Sequence, residues 1–115
     1  MEVERSAGNI KFTKMHGLGN DYLYINAFEY TYLLDDAFQL KEWPKYVRSL
    51  SDRNFGVGGD GVILICPPLL NANFWMRMYN ADGSEGEMCG NGIRCAVKFA
   101  LDHSITVGDP KYLKV

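Results

Sequence analysis

The segment from Asn91 to Asp102 constrains the fold most, because it is apolar on nearly every side of a helix. Apolar side chains recur at helical spacing and extend around most of the circumference: Ile93, Cys95, Ala96, Val97, Phe99, Ala100 and Leu101. Only Arg94, Lys98 and Asp102 form a narrow polar line. A helix with this pattern is buried on nearly every side. The sequence therefore predicts that other elements enclose this helix.

The preceding chain supplies strands for such an enclosure. Alternating or short apolar runs predict strands over Ile10 to Met15, Tyr22 to Ala27, Tyr30 to Leu34, Val62 to Cys66 and Phe74 to Tyr79. Further strand material is expected at Thr106-Val107 and from Tyr112 to Val115. A first helix is predicted from Trp43-Pro44 to about Arg53, since proline is tolerated in a first turn. The expected fold is α+β, a mainly antiparallel sheet wrapped around a buried central helix, with the first helix outside.

Length and charge narrow the classes of protein. A chain of 115 residues fits one domain, expected over residues 10–115 after a flexible tail at residues 1–9. A net charge of -2, with no run of basic residues, argues against nucleic-acid and anionic-membrane partners. No apolar run approaches the roughly 18 residues of a membrane helix, and the polar N-terminus does not resemble a signal peptide. We therefore expect a cytoplasmic protein.

The cysteines and histidines do not form a metal-binding pattern. Cys66, Cys89 and Cys95 lack CxxC spacing, and with only His16 and His103 a zinc site is not expected. Without a secretory signal, reduced thiols are expected rather than disulfides. Cys66 lies inside an apolar strand and Cys95 on the inner side of the helix, which predicts inert core thiols. His16 is interpreted as structural, and His103 as a cap at the negative end of the helix dipole.

Cys89 differs from the other two cysteines by its position directly before Gly90-Asn91-Gly92, where the helix begins. The positive end of the helix dipole favours a thiolate there. The free backbone N–H groups also bind carboxylates, and the glycines let a ligand approach closely. From the residues alone, two interpretations stay open: a catalytic thiolate beside an anion-binding site, or a small buried cysteine at a glycine-rich turn.

A second glycine-rich stretch runs from Gly56 to Gly61 and matches the dinucleotide-binding pattern G-x-G-x-x-G. That fingerprint follows a strand and opens a helix, whereas here a helix precedes and a strand follows. The sequence instead predicts a tight loop with positive φ angles, with the lining of a ligand pocket as the functional alternative. Asp82, between Asn80 and Ser84, is likewise expected to be a turn residue rather than half of a carboxylate pair.

Three stretches together resemble diaminopimelate epimerase: Lys14 to Asp21, Phe55 to Gly61 and Asn80 to Cys95. The resemblance spans Phe12 to about His103, and its Ala-Asp-Gly-Ser-Glu…Cys-Gly-Asn-Gly motif is highly specific. It implies two similar lobes, each a sheet around a central helix, of which this chain is the N-terminal one. It also implies a cofactor-independent enzyme of lysine biosynthesis that interconverts LL- and meso-diaminopimelate. One thiolate removes the α-proton, and a thiol on the opposite face returns a proton.

The resemblance also implies roles for individual residues. Cys89 matches the catalytic cysteine of the first lobe. Gly90 and Asn91 match positions whose backbone amides hold the substrate carboxylate. Asn20 and Asn80 match asparagines that contact the substrate.

The sequence departs from the family pattern in two respects. Some members carry a substrate-contacting glutamine where this chain has Gly61. The second lobe, with its own cysteine, is absent from this sequence, which leaves open a shortened piece, a broken gene product or one subunit of a split enzyme. The chain alone is therefore expected to be inactive, with the missing C-terminal half or a second copy of itself as its partner. The alternatives are another racemase or isomerase of this fold, and a non-catalytic half-domain that binds an amino acid or a subunit.

Overall fold

The sheet forms the centre of the molecule. In a computed structural model, the described residues are 2–7, 10–16, 20–68, 74–86, 90–103 and 105. Within these residues, six strands follow one another across the sheet in chain order. They are β1 Glu2–Ala7, β2 Ile10–His16, β3 Asp21–Asn26, β4 Gly61–Cys66, β5 Trp75–Asn80 and β6 Glu85–Gly86. Neighbouring strands are antiparallel, except that β3 and β4 are parallel.

Helices cover both faces of this sheet. They are α1 Asp36–Lys41, α2 Trp43–Ser51 and α3 Gly90–Asp102. On one face, α2 packs its buried residues against alternate residues of β3 and β4; this cluster includes Trp43, Val47, Leu50, Leu23, Ile25, Val62 and Leu64. On the other face, α3 packs against the intervening residues, in a cluster that includes Ala96, Phe99, Ala100, Tyr22, Tyr24, Ile63 and Ile65. Because successive strand residues point to opposite faces, β3 and β4 are buried along their whole length.

The structure confirms the α+β class and the mainly antiparallel sheet. It also confirms that the helix predicted from Trp43, which is α2, lies on the opposite face of the sheet from α3. α3 itself is buried along the face that meets the sheet. Its outer side is more open, since Leu101 is 40% exposed and Cys95 and Val97 are half-buried. Within the described residues, the sheet therefore covers one side of the helix.

Two local predictions are wrong. Glu2–Ala7 forms β1, paired along its length with β2, where a loose tail was expected. The residues Thr31–Leu34 form a 3-10 turn rather than a strand, and only Leu33 among them is buried. The turn leads into α1, whose first N–H groups are capped by the carboxylate of Asp35. The strands expected at Thr106-Val107 and from Tyr112 to Val115 lie outside the described residues.

Candidate functional site

Asn20 and Asn80 lie at the same end of the sheet. Asn20 directly precedes β3, and Asn80 is the last residue of β5. Across the sheet, Tyr22 lies opposite Gly61 and Gly61 lies opposite Asn80. With strands spaced about 4.8 Å apart, the backbones of Tyr22 and Asn80 are therefore about 10 Å apart. We call this the asparagine end of the sheet.

The N-terminus of α3 lies at the asparagine end as well. The Phe99 ring stacks on Tyr24 of β3 with 5.9 Å between centroids, and His103 shares a cavity with Asn26 at the far end of β3. α3 therefore runs in the same direction as β3, with its N-terminus towards the start of the strand. From Phe99 to Gly90 the helix covers about 14 Å, and from Tyr24 to Asn20 the strand covers about 13 Å. The two distances agree, so the first turn of α3 reaches the end of the sheet where the asparagines lie.

The first turn of α3 begins at Gly90 and includes Asn91. The first N–H groups of a helix have no partner inside the helix, and they bind carboxylates together with the helix dipole. The structure thus brings the predicted carboxylate-binding backbone to the same end as the two asparagines. Cys89, the predicted catalytic residue, lies outside the described residues.

A tight turn holds the amide of Asn80 in place. The Asn80 N–H donates to the carbonyl of Ser84 at 2.7 Å, and its side-chain Nδ2 donates to the Ser84 hydroxyl at 3.1 Å. Gly83 occupies the turn with φ 93° and donates its N–H to the Asn80 carbonyl at 2.8 Å. Asp82 accepts from the Ser84 N–H at 2.9 Å and from its hydroxyl at 2.6 Å, which confirms the turn role predicted for it. Asn80 is therefore held through both its backbone and its side chain.

An ionic cluster next to Asn20 was not predicted from the sequence. The carboxylate of Asp21 is held by two guanidinium nitrogens of Arg53 at 2.9 and 3.2 Å, and Lys14 lies 3.5 Å away. Arg53 also donates to Asp60 at 3.1 Å. The hydrogen bonds from Arg53 lower the pKa of Asp21 to about 2, against the opposing effect of burial. The sequence shows Arg53 at the end of the predicted helix, but no pattern in the neighbouring residues indicates that it contacts Asp21.

The glycine-rich loop packs onto this cluster. Gly58 has φ 87°, as expected for a tight loop with positive φ angles. At Gly59, a Cβ atom would lie 3.3 Å from the carbonyl oxygen of Asp21, so a side chain there would crowd the contact. At Gly61, a Cβ atom would lie 2.1 Å from the carbonyl oxygen of Tyr79. A glutamine at position 61 therefore does not fit between β4 and β5 as they are placed here.

The remaining predicted residues lie away from the asparagine end or at its edge. Cys66 is fully buried, which confirms the predicted core position, and burial raises the pKa of its thiol to about 12, as expected for an unreactive thiol. Cys95 is a half-buried free thiol. His103 places Nδ1 2.9 Å from the carbonyl oxygen of Phe99 and stacks on its ring, which confirms the cap. His16 is an exposed residue at the end of β2.

Within the ranges given above, no three or more His, Cys, Asp or Glu side chains are grouped so that they could hold a metal ion. Among the helices of the described residues, none is long and apolar enough to cross a membrane.

Comparison with known proteins points to a family. A sequence model described as diaminopimelate epimerase matches residues 12–114. The diaminopimelate epimerase of Agathobacter rectalis is 55% identical over 97 residues, which are 84% of this chain and 31% of that protein. That of Brachyspira hyodysenteriae is 50% identical over 102 residues, 89% of this chain and 34% of that protein. That of Methanococcus maripaludis strain C6 is 53% identical over 98 residues, 84% of this chain and 32% of that protein. The chain thus spans about a third of the length of the curated relatives it matches.

Proposed function

Because the chain belongs to the diaminopimelate epimerase family, we propose that it supplies the first half of a cofactor-independent enzyme that interconverts LL- and meso-diaminopimelate. We further propose that the enzyme acts in lysine biosynthesis and in the cytoplasm. The observation that carries the proposal is the convergence of Asn20, Asn80 and the first turn of α3 at one end of the sheet. In this arrangement a helix terminus of the kind that binds anions lies at the same end of the sheet as the two asparagines.

The chemistry follows from the weak acidity of a proton on the carbon next to a carboxylate. In the proposed reaction the Cys89 thiolate takes the α-proton, and the electron pair of the broken C–H bond stays on the α-carbon. A thiol on the opposite face then gives its proton to that carbon and becomes a thiolate, which completes the inversion. In the reverse direction, the two thiols exchange roles.

Stabilisation of the charge that develops on the substrate must come from fixed dipoles, because no electron-accepting cofactor is invoked. We assign this role to the backbone amides of Gly90 and Asn91 at the helix terminus. The side chains of Asn20 and Asn80 orient the substrate beside them. The Ser84 contacts of Asn80 support this role, since an orienting amide needs a fixed position.

The second thiol must come from outside these residues, since Cys66 and Cys95 lie in or beside the core. We propose that the C-terminal half of the enzyme supplies it, or that a second copy of the chain does. The length of the relatives, about three times the matched segment, favours the first partner.

A chimera tests the proposal. This chain replaces the matching segment of the Agathobacter rectalis enzyme, and the interconversion of LL- and meso-diaminopimelate is followed by chiral chromatography. We expect the chimera to be active, Cys89→Ala to abolish the interconversion, and the control Cys95→Ala to retain it. A folded chimera without activity, or an active Cys89→Ala chimera, would contradict the proposal.

A further inference from the structure

The backbone on both sides of the Asp21 α-carbon is tied to one residue. The N–H of Asp21 donates to Oδ2 of Asp60 at 2.9 Å, and the carbonyl of Asp21 accepts from the N–H of Asp60 at 2.7 Å. The first of these N–H groups belongs to the peptide bond that joins Asn20 to Asp21. Asp60 therefore fixes the peptide plane from which Asn20 extends, as well as the next one.

A guanidinium holds the two carboxylates of this arrangement together. One nitrogen of Arg53 donates to Oδ1 of Asp21 at 2.9 Å and to Oδ1 of Asp60 at 3.1 Å. Without a cation between them, two carboxylates this close would repel each other. Lys14, at 3.5 Å from Asp21, has no ion pair with Asp60 among the described contacts. Arg53 is thus the group that lets Asp60 bind the Asp21 backbone while Asp21 is charged.

The loop that carries Asp60 is anchored to the body of the protein. Gly58 donates its N–H to the carbonyl of Leu50 at 2.9 Å, and Gly59 donates to that of Ser51 at 3.2 Å, both at the C-terminal end of α2. The position of Asp60 is therefore set by α2, which packs on the sheet through its buried face. A continuous chain of contacts runs from the core through Asp60 to Asn20.

We propose that Arg53, Asp21 and Asp60, here called the Asp21 cluster, form a positioning device for Asn20, so that Arg53 affects substrate binding through Asn20. This inference rests on the function proposed above for its effect on substrate. Its structural part, the fixing of Asn20, is independent of that function.

Because Arg53 is exposed, its effect on the position of Asn20 can be distinguished from an effect on the stability of the fold. The Arg53 side chain is 56% exposed and that of Asp21 is 12% exposed, so solvent partly screens the ion pair and its loss should weaken the fold without unfolding it. Removing the guanidinium should therefore leave the protein folded, while Asp21 and Asp60 move apart and Asn20 loses its fixed peptide plane. The expected consequence is a weaker site in a folded protein, rather than a smaller amount of folded protein.

Nuclear magnetic resonance of the full 115-residue chain tests the structural part. In Arg53→Met we expect the Asp21 amide to lose protection from hydrogen exchange by about tenfold or more, and the side-chain amide signals of Asn20 to shift. Arg53→Lys restores a cation and should restore part of the protection. Amides of β4 should stay protected, and Lys98→Met, which removes a cation from an exposed pair with Asp102, should change neither signal. Unchanged Asp21 protection and unchanged Asn20 signals in Arg53→Met would overturn the proposal.

A double-mutant cycle in the chimera tests the effect on substrate. We expect Arg53→Met to raise KM about tenfold with kcat per folded enzyme less affected, because a misplaced binding group weakens the site. In an Asn20→Ala background, the same substitution should raise KM by less than about twofold, since the group it positions is already gone. If the fold changes in KM caused by Arg53→Met and Asn20→Ala simply multiply in the double variant, the assignment is overturned. If the unsubstituted chimera is inactive, the proposed function fails, and the exchange and resonance measurements alone decide whether Arg53 positions Asn20.

Discussion

Removal of the charge on Asp21 should produce a pH-dependent loss of stability. The Asp21 residue is 9% exposed and accepts hydrogen bonds from Arg53, which lower the pKa of the carboxyl from 3.8 to about 2. A carboxyl whose pKa is lower in the folded state stabilises the fold above its unfolded pKa. That contribution is lost as the pH falls from about 4 through about 2. The direction follows from the unfolded chain binding the proton more tightly.

The size of the effect follows from the same values. Lowering the pKa from 3.8 to about 2 corresponds to about 2 kcal/mol of stability at neutral pH. Solvent screens the partly exposed Arg53, so the expected contribution of the Asp21 charge is about 1 to 2 kcal/mol. The linkage between proton binding and folding predicts that about half of this contribution is lost by pH 3.

Urea unfolding of Asp21→Asn and of the parent chain, followed by tryptophan fluorescence between pH 7 and pH 3, measures this contribution. The variant should be less stable at pH 7, and the gap in the free energy of unfolding should narrow as the pH falls. As a control, Asp102→Asn removes the acid of an exposed pair on α3, and it should change the stability by less than about 0.5 kcal/mol at any pH. A gap that stays constant or widens towards pH 3 would show that the pKa of Asp21 is not lowered in the folded protein.

Three further predictions concern packing and thiol reactivity. Gly61→Ala places a methyl group against the carbonyl of Tyr79 and should cost about 1 to 3 kcal/mol in urea unfolding, whereas no loss would contradict the close strand contact. Trp43 is fully buried, and its Nε1 has no hydrogen-bond partner among the described residues. Trp43→Phe should therefore lower the free energy of unfolding by less than about 1.5 kcal/mol, and Trp43→Ala by about 3 to 5 kcal/mol. Equal losses for the two variants would contradict this expectation. In pulsed alkylation with mass spectrometry, Cys89 should react first and Cys66 last, because burial raises the pKa of Cys66; early labelling of Cys66 would argue against its burial.

The elements with strong periodic patterns could be predicted from the sequence. α3 and the apolar runs of β3 and β4 combine a clear period or a continuous apolar run with recognisable ends, and the structure places them close to the predicted bounds. The segment around Tyr32 was misassigned because aromatic and branched residues suit a strand, while the cap at Asp35 favours a helix start just after it. β1 was missed because its polar sequence carries no apolar alternation, and its partner β2 supplies the pairing.

In the candidate site, too, some residues could be predicted from the sequence and others could not. Asn20 and Asn80 were indicated by the resemblance to diaminopimelate epimerase, and each adjoins a strand whose bounds the sequence predicts. Their location at one end of the sheet follows only from the pairing of β3, β4 and β5. The Asp21 cluster could not be placed, because Arg53 lies 32 residues from Asp21 along the chain and no local pattern records that contact. Long-range ion pairs of this kind depend on how α2 and its following loop return to the sheet.

In the proposed mechanism, Cys89 is one of two thiols that act on opposite faces of one carbon. The most direct measurement is α-proton exchange in deuterated water by the chimera, followed by nuclear magnetic resonance from LL- and meso-diaminopimelate separately. We expect Cys89→Ala to abolish inversion from both isomers and to leave exchange with retention only for the isomer whose α-proton faces the remaining thiol. Inversion that persists without Cys89 would show that Cys89 is not one of the two thiols.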